Sequence, residues 1–126
     1  MKDYKKYFPI PAPPEDIYLA LTIPSTILLW SGFEATMSAE KQTEFSMFEG
    51  DIVGINLDFE INKKIVQQWY FGDQHEESIV TIILHPDKHG TSVELRHTNI
   101  PDDDYEDIVE GWNNYYFGAL REFYEE

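Results

Sequence analysis

The chain has 126 residues, with 24 aspartates and glutamates against nine lysines and arginines, and it contains no cysteine. This length predicts one domain over residues 1–126, and the lack of thiols excludes disulfides, cysteine nucleophiles and cysteine-bound metals. A net charge of -15 repels phosphate backbones and argues against nucleic acid as a partner. Apolar runs are too short to span a membrane and the start lacks a secretory signal, so we expect a cytoplasmic protein.

The first third of the chain predicts one strand and two short helices. Residues 4–12 contain two prolines, which cannot donate to a neighbouring strand, so we expect an edge strand. The first helix begins near Pro14, because proline suits the first helical turn. A second helix carries Trp30 and ends at Gly32.

The middle of the chain has apolar residues at a period of two, which predicts antiparallel strands. Within residues 52–61, the predicted inward face consists of the alternating residues Val53, Ile55, Leu57, Phe59 and Ile61. We expect a three-residue bulged connection before this strand, with Gly50 left-handed, because it pairs the inward residues of both strands. In the next strand the favoured inward set is Ile65, Gln67, Trp69 and Phe71.

The last hairpin is the best specified element of the sheet. Residues 78–86 and 91–100 flank a predicted four-residue loop, and pairing Pro86 with Thr91 places Val80 opposite His97. One face of the hairpin is then apolar except for His97, while the other is polar. We therefore expect His97 to lie beneath whatever covers the sheet.

The C-terminal segment, residues 102–126, predicts one long α-helix. Its apolar residues recur at steps of three and four and form a broad stripe: Tyr105, Ile108, Val109, Trp112, Tyr116, Ala119, Leu120 and Phe123. Gly111 and Gly118 each cost about 1 kcal/mol against alanine, so the helix either approaches the sheet closely there, which we favour, or leaves room for a guest. The whole pattern predicts an α+β fold, a curved antiparallel sheet of six to seven strands around this helix.

The histidines do not form a predicted metal site. His85 and His97 fall on opposite faces of the hairpin, about 17 Å apart along it, and His75 and His89 fall in loops. We therefore predict no metal and no cofactor. His97 is a weak candidate for an acid-base group, since it faces Trp112 and Tyr116 across an apolar interior.

Several short motifs follow one another along the chain: Pro14-Glu15-Asp16-Ile17-Tyr18 with Trp30, Phe45-x-Met47-x-x-Gly50-x-x-x-Gly54, Lys64-Ile65-Val66-x-x-Trp69-x-Phe71, Gly90-Thr91, Ile100-Pro101, and Gly111-Trp112-x-x-Tyr115-Tyr116-Phe117. Together they resemble the START-like (birch-pollen-allergen-like) helix-grip superfamily, and within it the activator of heat-shock protein 90 ATPase homologue family. One departure is Gln42-Thr43, where the family often has a Gly-Gly pair. The resemblance implies the helix-grip fold and a cavity between sheet and helix.

Three functions remain open at this point. The favoured one is a non-catalytic binding domain that holds a hydrophobic or aromatic small molecule, with contacts from Trp30, Leu57, Trp69, His97, Trp112 and Tyr116. The second, implied by the resemblance, is a co-chaperone-like domain that stimulates the chaperone's ATPase, although that chaperone is itself acidic and like charges slow encounter. The third is a cyclase- or dehydratase-like enzyme using His97. The sequence leaves the oligomeric state undetermined.

Overall fold

The computed structural model describes residues 1–72 and 76–125. Its strands form one antiparallel sheet in the order β1-β6-β5-β4-β3-β2, with bounds β1 Lys2–Ile10, β2 Thr43–Met47, β3 Ile52–Glu60, β4 Lys64–Trp69, β5 Ser78–Asp87 and β6 Gly90–Ile100. The helices are α1 Pro14–Thr22, α2 Pro24–Ser31, α3 Tyr105–Glu110 and α4 Phe117–Tyr124, and a π-helical segment, Gly111–Tyr116, joins the last two. The predicted α+β fold, a curved sheet with a C-terminal helix, is confirmed.

The N-terminal elements follow the sequence closely. β1 pairs only with β6 and so forms an edge of the sheet, as its prolines predict. Pro14 and Pro24 lie in the first turns of α1 and α2. Gly32 adopts a φ of 84° and ends α2. None of the described helices is long and apolar enough to cross a bilayer.

The β5–β6 hairpin has the predicted register. Val80 pairs with His97, and Pro86 pairs with Thr91. One further pair, Asp87 with Gly90, shortens the predicted four-residue loop to two residues. Glycine suits position 90 for two reasons. Its φ of 139° is one that side chains disfavour, and a Cβ there would lie 2.4 Å from the carbonyl oxygen of Ile10.

The predicted three-residue length of the connection between β2 and β3 is wrong, although Gly50 is left-handed as predicted, with a φ of 88°. Phe45 pairs with Gly54 and Met47 with Ile52, so the connection has four residues instead of a three-residue bulge. In the first half of β3, residues 52–56, the even-numbered residues face inward. Val53 lies on the other face and is 36% exposed. A Cβ at Gly54 would lie 2.0 Å from the backbone oxygen of Gln68 and 3.0 Å from the Phe45 ring. The ring and the neighbouring strand thus use the space that a side chain would need.

A register shift between Asn56 and Asp58 changes the facing of β3 halfway along its length. Leu57 lies at this irregularity without a cross-strand partner. Beyond it, Phe59 pairs with Ile65 and packs against the core, as predicted, whereas Ile61 lies past the end of the strand and is exposed. The inward set predicted for the next strand is confirmed: Ile65, Gln67 and Trp69 are buried and Phe71 packs against the core.

The C-terminal helix is not a continuous α-helix. A π-helical turn holds one residue more than an α-helical turn, so the apolar stripe shifts by about one position beyond the π segment. Phe117 is fully buried and Tyr124 packs against the core, whereas Phe123, which the stripe predicts to face inward, is 40% exposed. The predicted stripe is therefore wrong at Phe123, whereas Leu120 is buried and Ala119 packs against the core as predicted.

The two helix glycines have different environments. A Cβ at Gly118 would lie 2.2 Å from the backbone oxygen of Asn113, five residues earlier in the same helix. A Cβ at Gly111 would have no atom within 4 Å. Gly118 thus accommodates the π segment, and the predicted close approach of both glycines to the sheet is wrong.

Candidate functional site

Five of the six predicted ligand contacts lie together between the sheet and the C-terminal helix, and we call them the aromatic seam: Trp30, Trp69, His97, Trp112 and Tyr116. The Trp69 and Trp112 rings stack with centroids 4.8 Å apart, and Tyr116 lies 4.6 Å from Trp112. Trp30 contacts Tyr116 at 5.2 Å, and His97 contacts Trp69 at 5.0 Å. All five are buried. Their side chains contact one another in the region where a guest was expected.

Leu57 is the sixth predicted contact, and it does not join this group. Its position at the register shift of β3 leaves it half-buried, and it is not among the side chains packed against the core. Its predicted inward placement is wrong because the shift interrupts the alternation of that strand. Its predicted role as a ligand contact has no support from the packing.

His97 is fully buried and both of its ring nitrogens are engaged. The Trp112 indole N–H donates to His97 Nδ1 at 3.1 Å, which assigns the imidazole proton to Nε2. Nε2 in turn lies 2.9 Å from Ser78 Oγ, and the Ser78 hydroxyl donates to the Thr98 carbonyl at 3.0 Å. Burial lowers the pKa of His97 to about 3. The residue is therefore a neutral link between helix and sheet, and this arrangement gives a catalytic role no support.

A second buried hydrogen-bond chain runs from the seam to the loop before β2. Trp69 Nε1 donates to Gln67 Oε1 at 3.0 Å, and Gln67 Nε2 donates to Asn56 Oδ1 at 3.0 Å. Asn56 Nδ2 then donates to the Ser38 carbonyl at 3.1 Å and to Thr43 Oγ1 at 3.2 Å. The side-chain amides of Gln67 and Asn56 thus both have hydrogen-bond partners, as buried polar groups require.

Sequence reasoning missed Asn56 and Ser78 as parts of these chains. Asn56 was placed on the outer face because the inward face of β3 was misassigned, and Ser78 lies at the first position of β5. One signal was available. Gln67 was predicted to face inward, and a buried amide there needs a polar partner from the neighbouring strand.

The Tyr116 hydroxyl lacks a partner of this kind within the described part of the chain. The residue is 3% exposed, and no described residue forms a hydrogen bond with its hydroxyl. Burial raises the pKa of the phenol. Its ring also contacts Phe48 at 6.1 Å, and Phe48 contacts Phe33 at 6.0 Å. These rings connect the seam to the surface beside α2.

Open pockets lie at the surface outside the seam, and two of them are described by their lining residues. The larger, about 530 Å³, lies between the end of α2 and β2, and Leu28, Phe33, Glu34 and Glu49 are among its lining residues. The smaller, about 240 Å³, lies where β1, the β5–β6 turn and the end of α4 meet. Neither pocket is lined by a residue of the aromatic seam.

The described residues contain no group of three or more histidine, aspartate or glutamate side chains placed to hold a metal ion. His85 and His97 lie on opposite faces of the hairpin, as predicted, because His85 pairs with Ser92 and His97 lies five positions farther along the strand, an odd offset. His89 lies in the two-residue turn. His75 lies outside the described residues.

A family model for "Activator of Hsp90 ATPase homolog 1-like protein" matches residues 11–125. The chain is 30% identical to the activator of 90 kDa heat shock protein ATPase homolog 1 of Homo sapiens over 111 residues, which are 86% of this chain and 33% of that protein. It is 33% identical to the corresponding homologue of Dictyostelium discoideum over 102 residues, 79% of this chain and 27% of that protein. The chain thus spans about a third of the length of the curated relatives it matches.

Solved structures agree with this result. An HSP90 activator from Plasmodium falciparum has a TM-score of 0.83 and 27% identity, with coverage of 94% of this chain and 92% of that one. The Aha1 dimer from Colwellia psychrerythraea also has a TM-score of 0.83, and at 18% identity it shows the shared fold alone. The match to residues 11–125 includes every element that contributes to the aromatic seam, namely α2, β4, β6 and the C-terminal helix. The chain therefore belongs to the activator of Hsp90 ATPase homolog 1-like family.

Proposed function

We propose that this domain binds an Hsp90-type chaperone and stimulates its ATPase through surface contacts. The observation that carries the proposal is the similarity to the Plasmodium HSP90 activator, which this chain covers over 92% of its length at 27% identity. The solved chain of that activator has nearly the same extent as this chain. The human relative at 30% identity supports the same assignment for this domain.

The interior of the domain fits a role at the surface. The aromatic seam is filled by rings in mutual contact, and His97 has no free nitrogen. A domain whose interior is already packed does not need to order its core on binding. Function through contact needs no chemistry from the interior.

The test is a steady-state ATPase assay of the host's Hsp90-type chaperone with increasing amounts of the full chain. We expect a saturable increase in the rate, removed by an inhibitor of the chaperone's nucleotide site. Because both proteins are acidic, the assay is run at low and moderate salt, where screening of like charges differs. No change in rate and no complex at either salt concentration would contradict the proposal.

A second candidate, the binding of a hydrophobic or aromatic small molecule, is favoured by one observation. The buried Tyr116 hydroxyl has no partner among the described residues, and leaving such a group unpaired costs about 1–3 kcal/mol. A guest with one polar atom would supply that partner.

Native mass spectrometry of protein purified from its own host tests this candidate. A guest predicts an added mass in the wild type that is reduced in Tyr116→Phe. If both proteins show only the mass of the chain, and Tyr116→Phe is at least as stable as the wild type, the small-molecule candidate fails.

A further inference from the structure

The outer face of the sheet, which points away from the C-terminal helix, contains a buried carboxylate. Glu94 is 4% exposed, and its cross-strand neighbours on this face are Tyr7 and Ile83. An ionised group buried to this degree requires charge partners or hydrogen bonds. Glu94 has both.

Three basic side chains meet this one carboxylate. His85 Nε2 lies 2.8 Å from Oε1, Arg96 Nε lies 2.5 Å from Oε2, and Lys5 Nζ lies 3.9 Å from Oε2. Hydrogen bonds from His85 and from Arg96 hold the pKa of Glu94 below its ordinary value, so the carboxylate stays ionised. The basic side chains themselves are about half exposed, at 46% for His85 and 53% for both Arg96 and Lys5.

This arrangement leaves positive charge uncompensated at the surface. Lys5 and Arg96 contribute two permanent positive charges against the one negative charge of Glu94. Other ion pairs between side chains of the described residues are one-to-one: Lys41 with Asp58, Lys64 with Glu60, and Arg121 with Glu125. Arg96 uses its Nε for Glu94, and a guanidinium has further N–H donors for another acceptor.

An exposed aromatic ring adjoins these cations. Tyr7 is 50% exposed, its ring centroid is 6.4 Å from that of His85, and Lys5 Nζ lies 5.6 Å from the Tyr7 centroid. Tyrosine and arginine are enriched among the residues that dominate protein interfaces. A fixed arginine beside an exposed tyrosine is therefore suited to a protein partner.

We propose that this surface, which we call the outer cationic patch (Lys5, Tyr7, His85, Glu94 and Arg96), docks an acidic segment of a protein partner. The proposal rests on the proposed function, since the expected partner is an acidic chaperone. A chain with a net charge of -15 repels such a partner over most of its surface. At the patch, Glu94 holds the cations in place and the partner's carboxylates replace water at their outward donors.

The first experiment compares Lys5→Glu and Arg96→Gln with Arg121→Gln for binding to the host's chaperone. Arg121 is the matched control because it is 52% exposed and pairs with a single carboxylate elsewhere. We expect Kd to rise on the order of tenfold in each patch variant and to remain unchanged in the control. The double variant Arg96→Gln/Glu94→Gln removes the buried carboxylate together with its arginine partner. We expect it to fold and to bind as weakly as Arg96→Gln.

The second experiment uses a glutamate-rich peptide and follows the Arg96 Nε–H signal by NMR. A shift that disappears with added salt supports the proposal, even if the chaperone itself does not bind, in which case the proposed function alone fails. If the chaperone binds the patch variants as tightly as the wild type, the docking proposal is overturned and the proposed function stands. A shift with an RNA oligonucleotide but not with the peptide would also overturn it.

Discussion

His97 remains neutral because of the direction of its hydrogen bonds as well as its burial. The Trp112 N–H occupies Nδ1 as a donor, so a proton added there would face another N–H. Protonation would therefore break the contact between helix and sheet and leave a charge in an apolar interior. The same two facts make His97 a source of pH-dependent stability.

We expect the free energy of unfolding to fall as the pH drops below about 6.5. The unfolded chain protonates His97 at its ordinary pKa of 6.5, whereas the folded protein does so only at about 3. Between these values the unfolded state binds a proton that the folded state does not, which costs up to about 1.4 kcal/mol of stability per pH unit. Urea unfolding from about pH 7 to about pH 5 measures this slope.

The control for this prediction is His97→Gln. Its amide can accept from Trp112 and donate to Ser78 but does not titrate. We expect a lower stability with a shallower pH slope, so that the difference from wild type reports His97 alone. Equal slopes in the two proteins would show that His97 is not the group responsible.

Gln42 occupies a position that suits glycine better. Its φ is 62°, and its N–H donates to the Asn56 carbonyl at 2.7 Å, so the turn before β2 requires this left-handed backbone. We expect Gln42→Gly to raise the free energy of unfolding by about 0.5–1 kcal/mol, because glycine adopts this conformation without steric cost. Thermal or urea unfolding measures the change.

Thr43→Gly is the matched control for that substitution. Thr43 begins β2 and its hydroxyl contacts the buried Asn56 amide. We expect this variant to lose stability. A loss in Gln42→Gly as well would show that the turn does not have the described backbone.

At the level of elements, the difference between the two hairpins shows what the sequence can determine. The β5–β6 register was predictable because one face is apolar and the other carries the polar side chains, so a slip by one residue would turn Arg96 and Glu94 from the outer face towards the apolar interior. In β3 both faces carry apolar residues, among them Ile52 and Val53, and the alternation does not identify the inward face. The register shift at Leu57 then reverses that alternation, and no residue type in the sequence indicates where the shift occurs.

The π-helical segment also could not be predicted from the sequence pattern. An apolar stripe at steps of three and four fits an α-helix, and a single extra residue changes only the last turns. Gly118 was the visible clue. A glycine inside a helix needs a reason, and here the reason is the Asn113 carbonyl 2.2 Å from where a Cβ would lie.

The glycine pair provides a test of the π segment. We expect Gly118→Ala to lower the free energy of unfolding by about 2 kcal/mol or more, because the added methyl group collides with backbone. Gly111→Ala has open space and should raise it by up to about 1 kcal/mol through helix propensity. Urea unfolding of both variants gives the comparison. Stabilisation by both substitutions would contradict the π geometry.

For the molecule as a whole, the fold was within reach of the sequence and the state of the interior was not. The period-two segments, the final helix and the motif order predicted the architecture. Whether the space between sheet and helix is a cavity or a packed seam depends on how individual rings fill it, for example Trp69 stacked on Trp112. Periodicity carries no information on that packing, and the outer cationic patch likewise depends on side-chain contacts across β1, β5 and β6.

The central claim is that this domain acts through its outer surface while its interior stays packed. Isoleucine methyl NMR of the full chain, with and without the chaperone, tests it directly. Ile79 and Ile83 lie half-buried on the outer face, and Ile65 and Ile82 are buried on the inner face. We predict that the Ile79 and Ile83 signals shift or broaden while those of Ile65 and Ile82 keep their positions. Movement of Ile65 and Ile82 with Ile79 and Ile83 unchanged, or no change at all, would contradict the account.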